Sequence, residues 1–135
     1  MKNPKNMRFG EYIKWKRMSD PRELTLKDVS AALGLSLSML SDIEQGRRKA
    51  FDDEKIIKFC EFLKLGEDEL FTLRDLSAKD KGEIPADIED TMMYSEIGDM
   101  ARHALRLANA GYGDEEDWKK FIRQLEKKKR SGGGD

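Results

Sequence analysis

Residues 26–45, LKDVSAALGLSLSMLSDIEQ, carry short polar side chains at helical spacing opposite an apolar pattern. The outward positions of their second half are Leu37, Ser38, Ser41, Asp42 and Gln45. Serine and glutamine can hydrogen-bond base edges in a DNA major groove, and glutamine pairs well with adenine. Asp42 can only accept, so cytosine N4 is its natural base partner. Near a phosphate it would be repelled, and the bland alternative is a solvated acid that works against DNA. Leu37 can touch a thymine methyl. Phosphate contacts dominate affinity for nucleic acid. The candidates are Lys27, Arg47, Arg48, Lys49, and Ser36 with the backbone N–H groups beside it at a helix start. Arg47–Lys49 also suit the negative end of the helix dipole, and the two roles are compatible.

Two short helices must position these groups. Thr25 is a good N-cap for the first, with Val29, Ala32 and Leu33 expected inward, and Gly34 closes it. Ser36 caps the second, with Leu40 and Ile43 inward, and Gly46 ends it. Val29, Leu33, Leu35, Leu40 and Ile43 would clamp the pair, and Ser30 is small where the helices cross. This is the spacing of a helix-turn-helix unit, whose second helix faces a major groove. A helix over about 8–18 precedes it and ends at Ser19-Asp20-Pro21, because a residue before proline resists the α conformation. A fourth helix opens at Asp52-Asp53 with the stripe Ile56, Phe59, Cys60 and Leu63, and Gly66 stops it. A fifth is expected over about 68–76.

The string Leu24-Thr25, Val29-Ser30, Leu33-Gly34-Leu35-Ser36, Leu40-Ser41, Ile43-Glu44, Gly46-Arg47-Arg48 resembles the phage-repressor, or xenobiotic-response-element, class of helix-turn-helix regulators. The resemblance runs from about Phe9 to Phe71. It implies a five-helix DNA-binding domain and a sequence-specific, dimeric regulator. It also implies an ion pair between Arg17 and Glu44 that orients the helices without touching bases. Three departures stand out. Leu26 occupies the place where the family usually has a phosphate-gripping glutamine, the 19–23 connection is longer than usual, and the second helix of the motif lacks any Arg or Lys.

The chain has 135 residues, with 26 basic and 27 acidic side chains. Net charge near zero looks unpromising for a nucleic-acid partner. The average conceals a pattern: residues 1–50 hold 11 basic against 6 acidic groups, whereas 51–76 hold 4 against 8. No apolar run approaches the ~20 residues that span a bilayer. The N-terminus lacks the apolar core of a secretory signal. One cysteine and one histidine exclude an internal disulfide and leave too few ligands for zinc. A cytoplasmic protein without membrane contact, metal or cofactor is expected. Cys60 lies on an apolar stripe, so a core role outweighs a nucleophilic one. His103 stands alone, and Asp87, Glu89 and Asp90 lack the loop of a calcium site. With no catalytic constellation, an enzyme is not expected.

The expected architecture is all-α: a repressor-like domain over 8–76, a polar linker over 77–83, a C-terminal helical extension over 84–130, and a disordered tail over 131–135. The extension should hold three helices, over about 86–94, from Ser95 to Gly111, and from Asp114 to Arg130. In the middle one Ile97, Met100, Ala101, Ala104, Leu105 and Ala108 are expected inward, and Gly98 would allow close packing. The last carries Trp118, Phe121, Ile122 and Leu125 on one face, a candidate surface for a dimer or another protein. The function that follows is a DNA-binding repressor acting as a homodimer on double-stranded DNA. An alternative is an antitoxin whose C-terminal helices bind a partner protein. A pure interaction module, motivated by Asp42 and the absence of arginine in the second helix, is a further rival.

Overall fold

A computed structural model describes residues 3–132. Among them are eight α-helices, one 3-10 turn at Pro4–Asn6, and no strand. The helices are α1 Phe9–Ser19, α2 Leu26–Leu33, α3 Leu37–Glu44, α4 Asp53–Leu63, α5 Glu67–Lys81, α6 Glu89–Tyr94, α7 Glu96–Asn109 and α8 Glu115–Arg130. No helix among the described residues is long and apolar enough to cross a membrane. Of the tail expected to be disordered, residues 133–135 lie outside the described residues.

The helix starts follow from capping. Thr25 Oγ1 accepts the Asp28 N–H at 3.1 Å, and Asp28 returns the contact to the Thr25 N–H at 2.9 Å. Ser36 accepts from Met39, Asp52 from Lys55, Ser95 from Gly98 and Asp114 from Asp117. One stop differs from expectation. Lys64, at φ 56°, ends α4, while Gly66 sits at the start of α5 and donates to Glu69 Oε2 at 2.7 Å.

The chain divides into two compact units, Met1–Glu89 and Asp90–Asp135. In the first, α1 packs on α3 and α5, α2 on α3 and α4, and α4 on α5. Phe9, Ile13, Val29, Leu33, Leu40, Ile56, Phe59 and Leu73 are almost wholly buried at the centre. Phe51 meets Phe9 edge-on, with ring centroids 5.0 Å apart. Ala32 is exposed, not inward as expected: α2 is short, and Val29, Ser30 and Leu33 already fill its buried side.

The expected 77–83 linker is not a linker for most of its length. Residues 77–81 complete α5, with Leu76, Ser77 and Ala78 buried. Asp80 Oδ2 accepts the Ala50 N–H at 2.8 Å, and Oδ1 meets Arg8 at 3.5 Å. A polar sequence here anchors a helix end, because Asp80 finds partners 30 positions away at Ala50 and 72 positions away at Arg8.

Two contacts set the α1–α3 crossing. A Cβ on Gly10 would lie 2.0 Å from the Ile43 carbonyl oxygen, so only glycine lets the backbones meet this closely. Arg17 then clasps Glu44 from Nε at 2.8 Å and from its NH2 group at 2.9 Å, while its NH1 group donates to the Leu24 carbonyl at 3.0 Å. The two side chains are 12% and 4% exposed. The Glu44 hydrogen bond raises the Arg17 pKa, which keeps the guanidinium charged. Such a two-pronged pair fixes direction as well as distance.

The 19–23 connection is pinned as well. Arg22 grips Asp20 at 2.9 and 3.0 Å, donates to the Phe62 carbonyl at 2.7 Å and lies over the Phe62 ring. The Arg22 hydrogen bonds hold the Asp20 carboxyl at a pKa of about 2.

In the second unit Gly98 is the one buried residue among those described. A Cβ there would lie 2.1 Å from the Thr91 carbonyl oxygen, so α7 crosses the end of α6 at backbone distance. Arg102 donates to the Met92 carbonyl and pairs with Asp99. Ile97 and Met100, expected inward, are each 67% exposed, and Leu105 is exposed too, while Ala101, Ala104 and Ala108 are half-buried. Small alanines take the inner side of α7, and the larger apolar groups are left outside.

Three outcomes test this packing. Gly10→Ala should cost about 1–3 kcal/mol of folding stability in urea titrations, through overpacking at a rigid crossing. Arg17→Ala should cost about 3–5 kcal/mol, because Glu44 is left buried without its partner. Burial, aided by the Glu69 charge, pushes the Cys60 thiol up to about 11 and the Tyr12 hydroxyl up to about 12. Their stabilising protonated forms persist below about pH 9, and that stability is lost as pH rises through the folded values. The urea midpoint should therefore fall above about pH 9, and less steeply in Cys60→Ala.

Candidate nucleic-acid interface

The α2–α3 turn is built from one glycine. Gly34 adopts φ +70°, which L side chains rarely do, and the Leu35 N–H returns to the Ser30 carbonyl at 2.9 Å. Ser30 is buried with its hydroxyl donating to the Lys27 carbonyl at 3.1 Å. Val29 and Leu33 of α2 and Leu40 and Ile43 of α3 fill the core between the two helices. With Leu40, Ile43 and Glu44 committed inward, the opposite side of α3 faces solvent. Leu37, Ser38 and Gln45 are exposed there, and Ser41 and Asp42 half-buried. All five base-contact candidates share this stripe, at i, i+1, i+4, i+5 and i+8.

Four of the side chains on this surface are joined in a row. Gln45 Nε2 donates to Ser41 Oγ at 3.2 Å, Arg47 donates to Gln45 Oε1, and Arg47 Nε donates to Asp42 Oδ1 at 3.1 Å. Asp42 is therefore not a lone acid on the outer face of α3. Its charge is matched by Arg47, which the sequence places beyond the end of the helix. The left-handed turn at Gly46, φ +80°, folds Arg47 back, and the Arg47 N–H closes on the Asp42 carbonyl at 2.9 Å. A pairing across a reversed backbone has no periodic signature, so sequence spacing did not show it.

Arg48, Lys49 and Lys27 are exposed, and Ser36 stands at the α3 start with its hydroxyl accepting from Met39. Leu26 is half-buried and packs against the core, so it offers no hydrogen bond where the family places glutamine. Arg8 adds a cation beside the Arg47–Lys49 loop: its guanidinium lies 3.0 Å from where a Gly46 Cβ would stand. Nothing in the sequence links two residues 38 positions apart.

The other candidates lie elsewhere. Cys60 is buried and His103 exposed. A shallow cleft of about 260 Å³ is lined by α4 and α5 and their connection, with no residue from α3. Among the described residues, no group of three or more His, Cys, Asp or Glu side chains is placed to hold a metal ion.

Comparison with protein families matches residues 13–70 to the helix-turn-helix family model. No curated protein and no solved structure matches the chain. The matched segment starts within α1 and ends within α5, and it encloses the Gly34 turn, the outward stripe of α3 and the Arg47–Lys49 loop. That family is the phage-repressor and xenobiotic-response-element type of helix-turn-helix, a family of DNA-binding transcription regulators, and residues 13–70 of this chain are similar to it.

Proposed function

We propose that this protein is a sequence-specific repressor that acts as a dimer and inserts residues 37–45 into the major groove of double-stranded DNA. The observation that carries the proposal is the single exposed polar stripe on α3, flanked by Arg47, Arg48 and Lys49 and held from behind by the core. Ser38, Ser41 and Gln45 read base edges, and Leu37 packs on a thymine methyl. Arg48, Lys49, Lys27 and the Ser36 end of α3 hold phosphates. Asp42 steers Arg47, so that the acid costs less near DNA than its charge suggests and the guanidinium is aimed at the backbone.

Two copies would read half-sites about one helical turn apart, and occupation of a promoter by such a pair blocks transcription. An antitoxin draws on the same DNA-binding unit. It is favoured by the apolar groups left exposed in the second unit, which would then cover a toxin in place of a second copy. A chain that stays monomeric alone but forms a defined complex with a neighbouring gene's product would support that second reading.

The test is a mobility-shift titration on the protein's own upstream DNA at several salt concentrations. Wild type should bind this duplex well above random duplex. Replacing both Arg47 and Arg48 with Ala should weaken binding to both and lower the log–log salt slope by about 1–2. Equal affinity for the two duplexes would sink sequence-specific regulation, and an unchanged slope would remove these arginines from the phosphate contacts.

A further inference from the structure

The second unit buries one glycine and no apolar side chain among its described residues. A segment of 46 residues cannot supply a stable core of its own on those terms. Its last helix, α8, has no buried residue at all. Trp118 is half-buried, and Phe121, Ile122 and Leu125 are 51%, 51% and 47% exposed at successive positions of one stripe. A surface of this kind needs a cover, and the charges of α8 specify which.

The first turn of α8 holds Glu115, Glu116 and Asp117, and the last turn holds Lys127, Lys128, Lys129 and Arg130. We propose that α8 pairs antiparallel with α8 of a second copy of this chain, about a two-fold axis between Phe121 and Ile122. In that register Trp118 of each copy lies across from Leu125 of the other, and Phe121 across from Ile122. At 100° per residue, Glu115 and Lys129 fall on one flank of the stripe, and Asp114 and Lys128 on the other. The two-fold brings Glu115 beside Lys129 of the second copy and Asp114 beside its Lys128, once at each end. The helix dipoles also run in opposition. A parallel pair would set acid on acid and base on base. The surface is thus complementary to itself, as a two-fold interface requires. Glu115 Oε1 also meets Lys119 of its own helix at 3.2 Å, a solvent-exposed contact, and the carboxylate keeps its second oxygen for Lys129 of the second copy.

This deepens the dimeric reading above and rests on it. The DNA-facing residues lie in the other unit, so the two claims fail separately.

The test is sedimentation equilibrium of the full chain with four species: wild type, Glu115→Lys, Lys129→Glu and the double variant. Helix content by circular dichroism serves as the control for folding. Wild type should be a dimer. Each single variant should self-associate about tenfold more weakly, since both ends of the pair become like-charged. The double variant should recover, and an equimolar mixture of the two single variants should form heterodimers. A monomeric wild type, single variants with wild-type affinity, or a double variant as weak as the singles would overturn the pairing. Mobility shifts on the upstream duplex separate the claims. Specific binding by a monomeric chain sinks the pairing and spares the DNA-binding function. The full charge-swap pattern without specific binding upholds the pairing and sinks the function.

Discussion

Glu44 is a charged residue on the helix that faces outward, yet its side chain is almost wholly buried against Arg17. The rest of the DNA-binding unit depends on that contact. An eight-residue helix is not stable in water by itself. To present one face to a partner, α3 must be held firmly by the other, and its apolar contribution is only Leu40, Ile43 and part of Met39. The guanidinium of Arg17 bridges α1, the last turn of α3 and the Leu24 carbonyl just before α2, so three elements share one fixed centre. Gly10 lets α1 come close enough for this, with its backbone nearly touching the Ile43 carbonyl. Removing water from two charges is costly, and a buried pair is repaid only by good geometry and full hydrogen bonding. The two-pronged arrangement provides both, and it holds a short helix firmly in place.

The outward face carries the complementary solution. The exposed face of α3 carries no arginine or lysine of its own, so positive charge beside it must come from neighbouring segments. Gly46 supplies it by turning the chain so that Arg47 lies along the side of α3 against Asp42. The acid is offset locally, and the row Ser41, Gln45, Arg47 and Asp42 holds its side chains in mutually compatible rotamers. Preorganised side chains lose less freedom when they meet a partner. The overall charge of −1 is thus uninformative here. What matters is local: Arg8, Arg47, Arg48 and Lys49 gather beside the end of one exposed helix, while acidic groups start α4, α5 and α8.

The elements of the first unit were largely legible in the sequence because each boundary is encoded by local chemistry. Thr25, Gly34, Ser36 and Asp52 act within four residues of themselves, and the apolar stripes of α2, α3 and α4 repeat at helical period. The misses have a common cause, namely contacts between distant positions. SAKDKGE reads as a loop by composition, but Ala50 and Arg8 give Asp80 partners and the helix runs on through Lys81. Gly10 is one glycine among 11 until α3 is placed against it. The Asp42–Arg47 pair depends on a left-handed backbone. In the second unit the stripe of α8 was visible, but whether its own chain covers it was not. Ile97, Met100 and Leu105 looked inward by period alone, whereas alanines occupy that side of α7.

The central claim is that α3 reads DNA sequence from two copies held one turn apart. Selection from a pool of randomised duplexes, with the purified full chain, tests this most directly. The account predicts enrichment of an inverted repeat with half-site centres about 34–36 Å apart, or a multiple of that distance. Substituting Ser38 or Gln45 should then relax the preference at particular base positions without abolishing binding. A pool that shows no enriched sequence after several rounds, while the protein remains folded, would contradict it.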